Sequence, residues 1–326
     1  MITDLFGRKI DYLRLSVTDL CNIRCHYCMP VFGVIKRDRS NFLTFEEIVR
    51  VITILTKLGI KRVRLTGGEP LVRKGLPHLV EGLSRIEGLE EVLLTTNGIL
   101  LKPMARDLRN AGLKKINIHL DTLSPERFRQ ITRWGNLENV LEGIFEARRA
   151  AFDPIKLNMV VQKGINDDEV ESLLRFSAEN GLILRLIELM PIGPARAMIP
   201  IHYLPLEEVR RRLAERFTLS PTDRTVGSGP AIYHEVKELK TVVGFISPVS
   251  QPFCQGCNRI RLAADGRFQD CLAYEGQFSL RESLRDPSRS DDQIADLLLK
   301  MIRGKREWHD SFTGQRGTPC MAGIGG

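Results

Sequence analysis

Strand-like and helix-like segments alternate along the first two thirds of the chain, and this alternation restricts the fold more than any other feature. Residues 12–18 (YLRLSVT), 62–66 (RVRLT), 92–96, 115–120, 156–162 and 182–190 read as strands. Helical patterns lie between them at 44–58, 76–86, 103–111 and 139–149. Thr44 with Glu47 forms a capping box, and Ser124-Pro125 is a cap followed by a first-turn proline. Asn166 and Glu169 are placed to cap the next helix. Six strand-then-helix units imply a parallel sheet with right-handed crossovers. Six falls short of eight, so the expected class is α/β, a partial (β/α)6 barrel. An open doubly wound sheet is the alternative, because sequence does not show curvature. In both, ligands bind at the carboxyl ends of the strands, where Gly67-Gly68 and Asn97-Gly98 fall.

The pattern changes after about residue 220. Residues 240–247 are β-like, 260–264 and 267–271 form a hairpin around Asp265-Gly266, and 290–303 is a last helix. The expected division is 1–225 for the barrel and 226–326 for an α+β extension packed on it. No Pro/Ser-rich linker separates the two.

Composition excludes some classes. With 43% hydrophobic and 27% charged residues the chain is not globally disordered. No apolar run approaches the roughly 20 residues of a membrane span. The start, MITDLFGRKIDYLRL, has no signal-peptide core. The expectation is a cytoplasmic chain in a reducing compartment, which disfavours a disulfide framework. A net charge of +8 permits an anionic ligand or nucleic acid, but alone it reads as a solvated basic surface.

The seven cysteines are unevenly placed. Cys21, Cys25 and Cys28 lie in CNIRCHYC, a C-x3-C-x2-C spacing directly after the first strand. Three thiolates on one loop suit three irons of a 4Fe–4S cluster and leave the fourth iron open to a substrate. The alternatives are a zinc site with a distant ligand such as His26, or buried thiols without a role. Cys254, Cys257 and Cys271 form a second triplet in FCQGCNRIRLAADGRFQDCL, for which zinc is again an alternative. Cys320 is a fourth ligand or an incidental thiol; the latter is favoured. Between these ligands Arg259 and Arg261 alternate on a strand and point to one side, which suits a polyanion. Otherwise they are two exposed arginines.

The first triplet, with Tyr27 before its third cysteine, resembles the signature of the radical S-adenosylmethionine (SAM) enzymes, and GGEP at 67–70 resembles their glycine-rich strand end. The resemblance narrows to the GTP 3′,8-cyclase family. It runs through RLSVTDLCNIRCHYCMP, RLTGGEP, LTTNG, INIHLDTLSPERF, QKGINDDEV, RLIELMPIG, FCQGCNRIRLAADG and the terminal GG. It implies a lyase-type radical SAM enzyme with two 4Fe–4S clusters, the second in the C-terminal extension. SAM is cleaved to methionine and 5′-deoxyadenosine. GTP becomes (8S)-3′,8-cyclo-7,8-dihydroguanosine 5′-triphosphate, the first step of molybdenum-cofactor synthesis. The resemblance implies SAM contacts at Tyr27, Gly68, His119 and Met190. It implies GTP contacts at Arg14, Arg64, Thr95, Lys156, Arg259, Ile260 and Arg261, with Arg185 also on the strand-end face. It further implies a reducing electron donor, a homodimer, and neither membrane nor nucleic-acid partner. One residue departs from the family: a serine is usual where His119 stands. The rivals are a radical SAM enzyme acting on a peptide, and an iron–sulfur or zinc protein that binds nucleic acid. Against the latter, no basic stripe with interleaved aromatics appears.

Overall fold

The computed structural model describes residues 2–34, 38–222, 226–274, 276, 278–308 and 321. Six parallel strands follow in sequence order: β1 (Tyr12–Ser16), β2 (Arg62–Thr66), β3 (Glu91–Thr96), β4 (Lys115–His119), β5 (Ile155–Val161) and β6 (Ile183–Glu188). Then come β7 (Leu219–Pro221), β8 (Ile232–Val236), β9 (Thr241–Ile246), β10 (Arg259–Leu262), β11 (Arg267–Gln269) and β12 (Phe278–Ser279). All twelve form one sheet in the order β12–β11–β10–β1–β2–β3–β4–β5–β6–β9–β8–β7.

The parallel strands thus number eight, two more than the alternation predicts. The extension is not laid on a finished six-stranded barrel but continues the sheet at both edges. β10 pairs in parallel with β1, and β9 with β6. Antiparallel hairpin partners follow on each side. These pairings are non-local, so no neighbouring residue signals them.

The parallel strands alternate between two faces. Leu13 and Leu15 of β1, Ile116 and Ile118 of β4, Leu157 and Met159 of β5, and Ile260 and Leu262 of β10 lie in the hydrophobic core. Helices cover that face. Helix α1 (Phe45–Leu58) buries Ile48, Val51, Ile52 and Leu55 against it. Both bonds of the Thr44–Glu47 capping box form, and the Ser124 hydroxyl accepts from the Arg127 N–H at 3.3 Å. Asn166 behaves differently. Its side chain donates to the Asp121 and Val160 carbonyls at 3.0 Å each and accepts from the Gln162 N–H at 2.8 Å. The amide ties β-strand ends together instead of capping, and the following helix, α2 (Val170–Glu179), starts later.

The opposite face of the parallel strands carries the alternate, polar side chains and lines a cavity. A doubly wound sheet would cover that face with helices. The sheet is therefore a partial barrel. No helix among the described residues is long and apolar enough to cross a membrane.

Candidate active site

The six cysteines of the two triplets, Cys21, Cys25, Cys28, Cys254, Cys257 and Cys271, all line the same cavity. The first three lie on the loop after β1. A turn, in which the Cys28 N–H donates to the Cys25 carbonyl at 3.0 Å, sets their spacing. GGEP packs directly on this loop. A Cβ on Gly68 would lie 2.3 Å from the Leu20 carbonyl oxygen, so only glycine lets the strand end approach. Glu69 is buried and accepts from the Leu71 and Asn97 N–H groups and the Thr96 hydroxyl. Burial pushes its carboxyl up to about 7. The Asn97 amide donates to Asn22 Oδ1 at 2.7 Å and lies 3.8 Å from Cys21 Sγ. On the other side Cys254 and Cys257 sit in a tight turn before β10, and Cys271 follows β11.

The donor sets fit clusters. Among the described residues no three His, Cys, Asp or Glu side chains converge on a point that would hold one metal ion. In a 4Fe–4S cluster each thiolate binds its own iron, so a spread triplet suits it better than zinc. Burial pushes the Cys21 thiol up to about 11, and burial raises the Cys25 thiol well above its usual range too. Against burial, Arg259 and Lys305 hold the Cys257 thiol below the usual range. Cys320 lies outside the described residues.

Between the two triplets runs a cationic floor. Strand register places Arg261 beside Arg14 and Arg14 beside Arg64, on β10, β1 and β2. Lys156 on β5 and Arg185 on β6 continue it, and Arg259 stands one cavity-facing position from Arg261. Arg64, Lys156, Arg185 and Arg261 are all at least nine-tenths buried. Burial, then the charge of Arg259, lowers the Arg261 guanidinium to about 10. Burial, then Arg261, lowers Arg14 too. Burial, then Arg185 and Arg64, lowers the Lys156 ammonium to about 7. Its Nζ donates to the Val226 carbonyl. Arg64 donates to the Tyr12 hydroxyl at 2.5 Å and to Thr95 Oγ1 at 3.3 Å. Like charges packed this way cost free energy until an anion arrives.

The chain matches the Radical SAM superfamily over residues 15–177 and the Molybdenum Cofactor Synthesis C family over residues 182–311. It is 43% identical over 323 residues to the GTP 3′,8-cyclase of Moorella thermoacetica, covering 99% of each chain. It is 44% identical over 327 residues to that of Heliobacterium modesticaldum, again covering 99% of each. The chain belongs to the GTP 3′,8-cyclase family. Among solved structures, Streptococcus suis SuiB bound to S-adenosylmethionine matches with a TM-score of 0.67 at 13% identity, covering 91% of this chain and 68% of that one. That likeness shows the radical SAM fold.

As a GTP 3′,8-cyclase family member the chain is a radical SAM enzyme of molybdenum-cofactor synthesis, with two 4Fe–4S clusters and SAM as cofactors. The cavity brings together the cysteines with Tyr27, Gly68, His119, Met190, Arg14, Arg64, Thr95, Lys156, Arg259, Arg261 and Arg185. It does not receive the Ile260 side chain. Alternation turns Ile260 to the far face of β10, where it is fully buried in the core.

The departure from the GTP 3′,8-cyclase family pattern, His119, is held by its surroundings. Its Nε2 lies 2.5 Å from the Tyr27 hydroxyl and 2.8 Å from Asp121 Oδ2, and the Tyr27 hydroxyl donates to the same oxygen at 2.7 Å. The other Asp121 oxygen accepts from the Val160 N–H at 2.8 Å. Against burial, Asp121 holds the imidazole above its usual range. Sequence reasoning did not single out Asp121, Asn117 or Asn158. Period two on β4 and β5 marks the two asparagines as cavity-facing. The Tyr27 and Val160 partners of Asp121 lie far along the chain and give no local signal.

Proposed function

We propose that this chain cyclises GTP between C3′ and C8, with the two triplets holding clusters at opposite ends of the cavity and the cationic floor holding the triphosphate. The single observation that carries this reading is the run of buried cations from β10 through β6. When bound, the cluster at Cys21, Cys25 and Cys28 supplies the electron that cleaves SAM to the 5′-deoxyadenosyl radical that abstracts the C3′ hydrogen. The chain's own residues position and dry the site. Arg14, Arg64, Lys156, Arg185, Arg259 and Arg261 pair with phosphate oxygens, and this remote binding fixes the ribose. Tyr27, Gly68, His119 and Met190 form the SAM side. Guanine approaches the Cys254/Cys257/Cys271 end. The division at 225 and 226 separates the first triplet from the second, and both parts contribute cations to the floor. A cytoplasmic homodimer fed by a reducing donor completes the reading.

Lys156 gives a pH test. Its ammonium, lowered to about 7, is largely neutral in the free enzyme above that pH. A phosphate beside it restores the charge, so binding takes up a proton, and affinity falls as pH rises from about 7 to 9. Calorimetry of GTP binding in buffers of different ionisation enthalpy reads both effects. Guanosine and the Lys156→Met variant are expected to show no such slope. Flat GTP affinity without proton uptake contradicts the assignment.

His119 gives a second test. His119→Ser is expected to retain activity and to change chiefly the SAM dependence, because the imidazole shares Asp121 with Tyr27. A change in GTP dependence alone would move His119 out of the SAM side.

A further inference from the structure

We infer that Lys305 selects the base of the nucleotide by donating a hydrogen bond to the carbonyl oxygen O6 of guanine. The inference rests on the GTP reading above, which brings guanine to the Cys254/Cys257/Cys271 end. Lys305 is a cavity cation outside the floor. It follows the last helix (Asp291–Arg303) instead of lying on a strand. It lines the cavity and is only 3% exposed. Its Nζ donates to the carbonyl of Asp270, one residue before Cys271, at 2.5 Å. With Arg259 it holds the Cys257 thiol down against burial. The ammonium therefore sits at the second triplet.

One arginine clamps the backbone that carries this lysine. Arg8 Nη1 donates to the Glu307 carbonyl at 2.8 Å and to the Cys254 carbonyl at 3.0 Å. Its Nη2 donates to the Arg306 carbonyl at 2.5 Å and to the Lys305 carbonyl at 3.4 Å. Its Nε donates to Asp4 Oδ2 at 2.5 Å, and both side chains of that pair are buried. The Arg306 N–H donates to Asp270 Oδ2 at 3.1 Å, and the Arg306 guanidinium lies 3.8 Å from the Tyr274 ring centroid. Lys305 is thus anchored to the backbone of one triplet cysteine and to the neighbour of another. A donor held in place beforehand loses little freedom when a ligand arrives.

Chemistry and position together select the base. An ammonium has three donors and no acceptor. The Asp270 carbonyl takes one and is neutral, so two donors and the charge remain for a ligand. Guanine offers an acceptor at O6, where adenine carries an amino donor. The ammonium attracts the first and opposes the second. Phosphate is the nucleotide's other acceptor, but the floor leads from β10 across the sheet to β6. Asp270 and Cys271 follow β11, on the opposite side of β10. With the triphosphate on the floor, the part of GTP that meets Lys305 is the base. A site built to bond a polar group discriminates against the analogue that lacks it, because its own buried donor is then left unpaired.

The test measures binding to anaerobically reconstituted enzyme by calorimetry. The ligands are GTP, the 5′-triphosphate of 2-aminopurine riboside, which lacks O6, and inorganic triphosphate. The parent is expected to bind the O6-free nucleotide about ten- to a hundred-fold more weakly than GTP. Lys305→Met is expected to weaken GTP by the same factor, to leave the other two ligands unchanged, and to keep the parent iron content. Lys305→Arg keeps a donor and is expected to keep most of the difference between the nucleotides. Equal affinity of the parent for the two nucleotides overturns the inference without any variant. Equal losses in Lys305→Met for GTP and inorganic triphosphate make the lysine a phosphate contact and overturn it too, as does an equal loss for the two nucleotides. Lys305→Met with only half the parent iron assigns the lysine to cluster assembly and also overturns it. A parent that cleaves SAM but returns GTP unchanged overturns the GTP reading, and the inference with it.

Discussion

Cys25→Ala is expected to abolish 5′-deoxyadenosine formation. Cys25 is the buried member of the first triplet, in the turn that sets the spacing of its neighbours. Each thiolate of a three-cysteine site holds one iron, and among the described residues the remaining cysteines of the cavity belong to the other triplet. Two ligands do not hold a cluster against loss. The expected readings on anaerobic preparations are about half the parent iron and no SAM cleavage above background. Normal cleavage by Cys25→Ala defeats the assignment.

The second large effect separates the two ends of the cavity. Cys271→Ala is expected to keep the first cluster and some uncoupled SAM cleavage, yet to make no cyclised GTP. The GGEP strand end at 67–70 belongs to the first triplet, while Arg259 and Arg261 stand beside the second. Arg259 stacks 4.9 Å from the Phe253 ring, and its Nη2 lies 4.0 Å from Cys257 Sγ. Losing either arginine removes a charge-assisted contact of about 1.5–3 kcal/mol. That is roughly ten- to a hundred-fold in GTP affinity. Both clusters still assemble in Arg259→Ala and Arg261→Ala, so iron content separates a binding defect from a folding one. Parent-rate cyclisation by Cys271→Ala makes the second triplet merely structural.

The six central strands were legible because their two faces differ. Leu13 and Leu15 against Arg14, or Ile260 and Leu262 against Arg259 and Arg261, announce both a strand and the direction each residue faces. The same alternation excludes the Ile260 side chain from the cavity, a consequence that the family motif hides. What was not legible depends on distant partners. β8 (IYHEV) lies near the sheet edge and leaves Ile232 and Glu235 exposed, so its hydrophobic signal is weak. The parallel pairing of β9 with β6 and β10 with β1 joins residues far apart in the chain. Asn166 looks like a cap because its partners Asp121 and Val160 are not visible locally. Asn97 looks like a turn residue, yet its side chain reaches Asn22 on the cysteine loop. The Tyr27–His119–Asp121 contact likewise joins two segments about ninety residues apart.

The most direct measurement follows SAM and GTP together on the anaerobically reconstituted, reduced protein. 5′-Deoxyadenosine and the GTP-derived product are quantified with and without GTP. The expected result is SAM cleavage that GTP stimulates, with 3′,8-cyclised nucleotide formed alongside the 5′-deoxyadenosine. SAM cleavage indifferent to GTP, with GTP recovered unchanged, contradicts it.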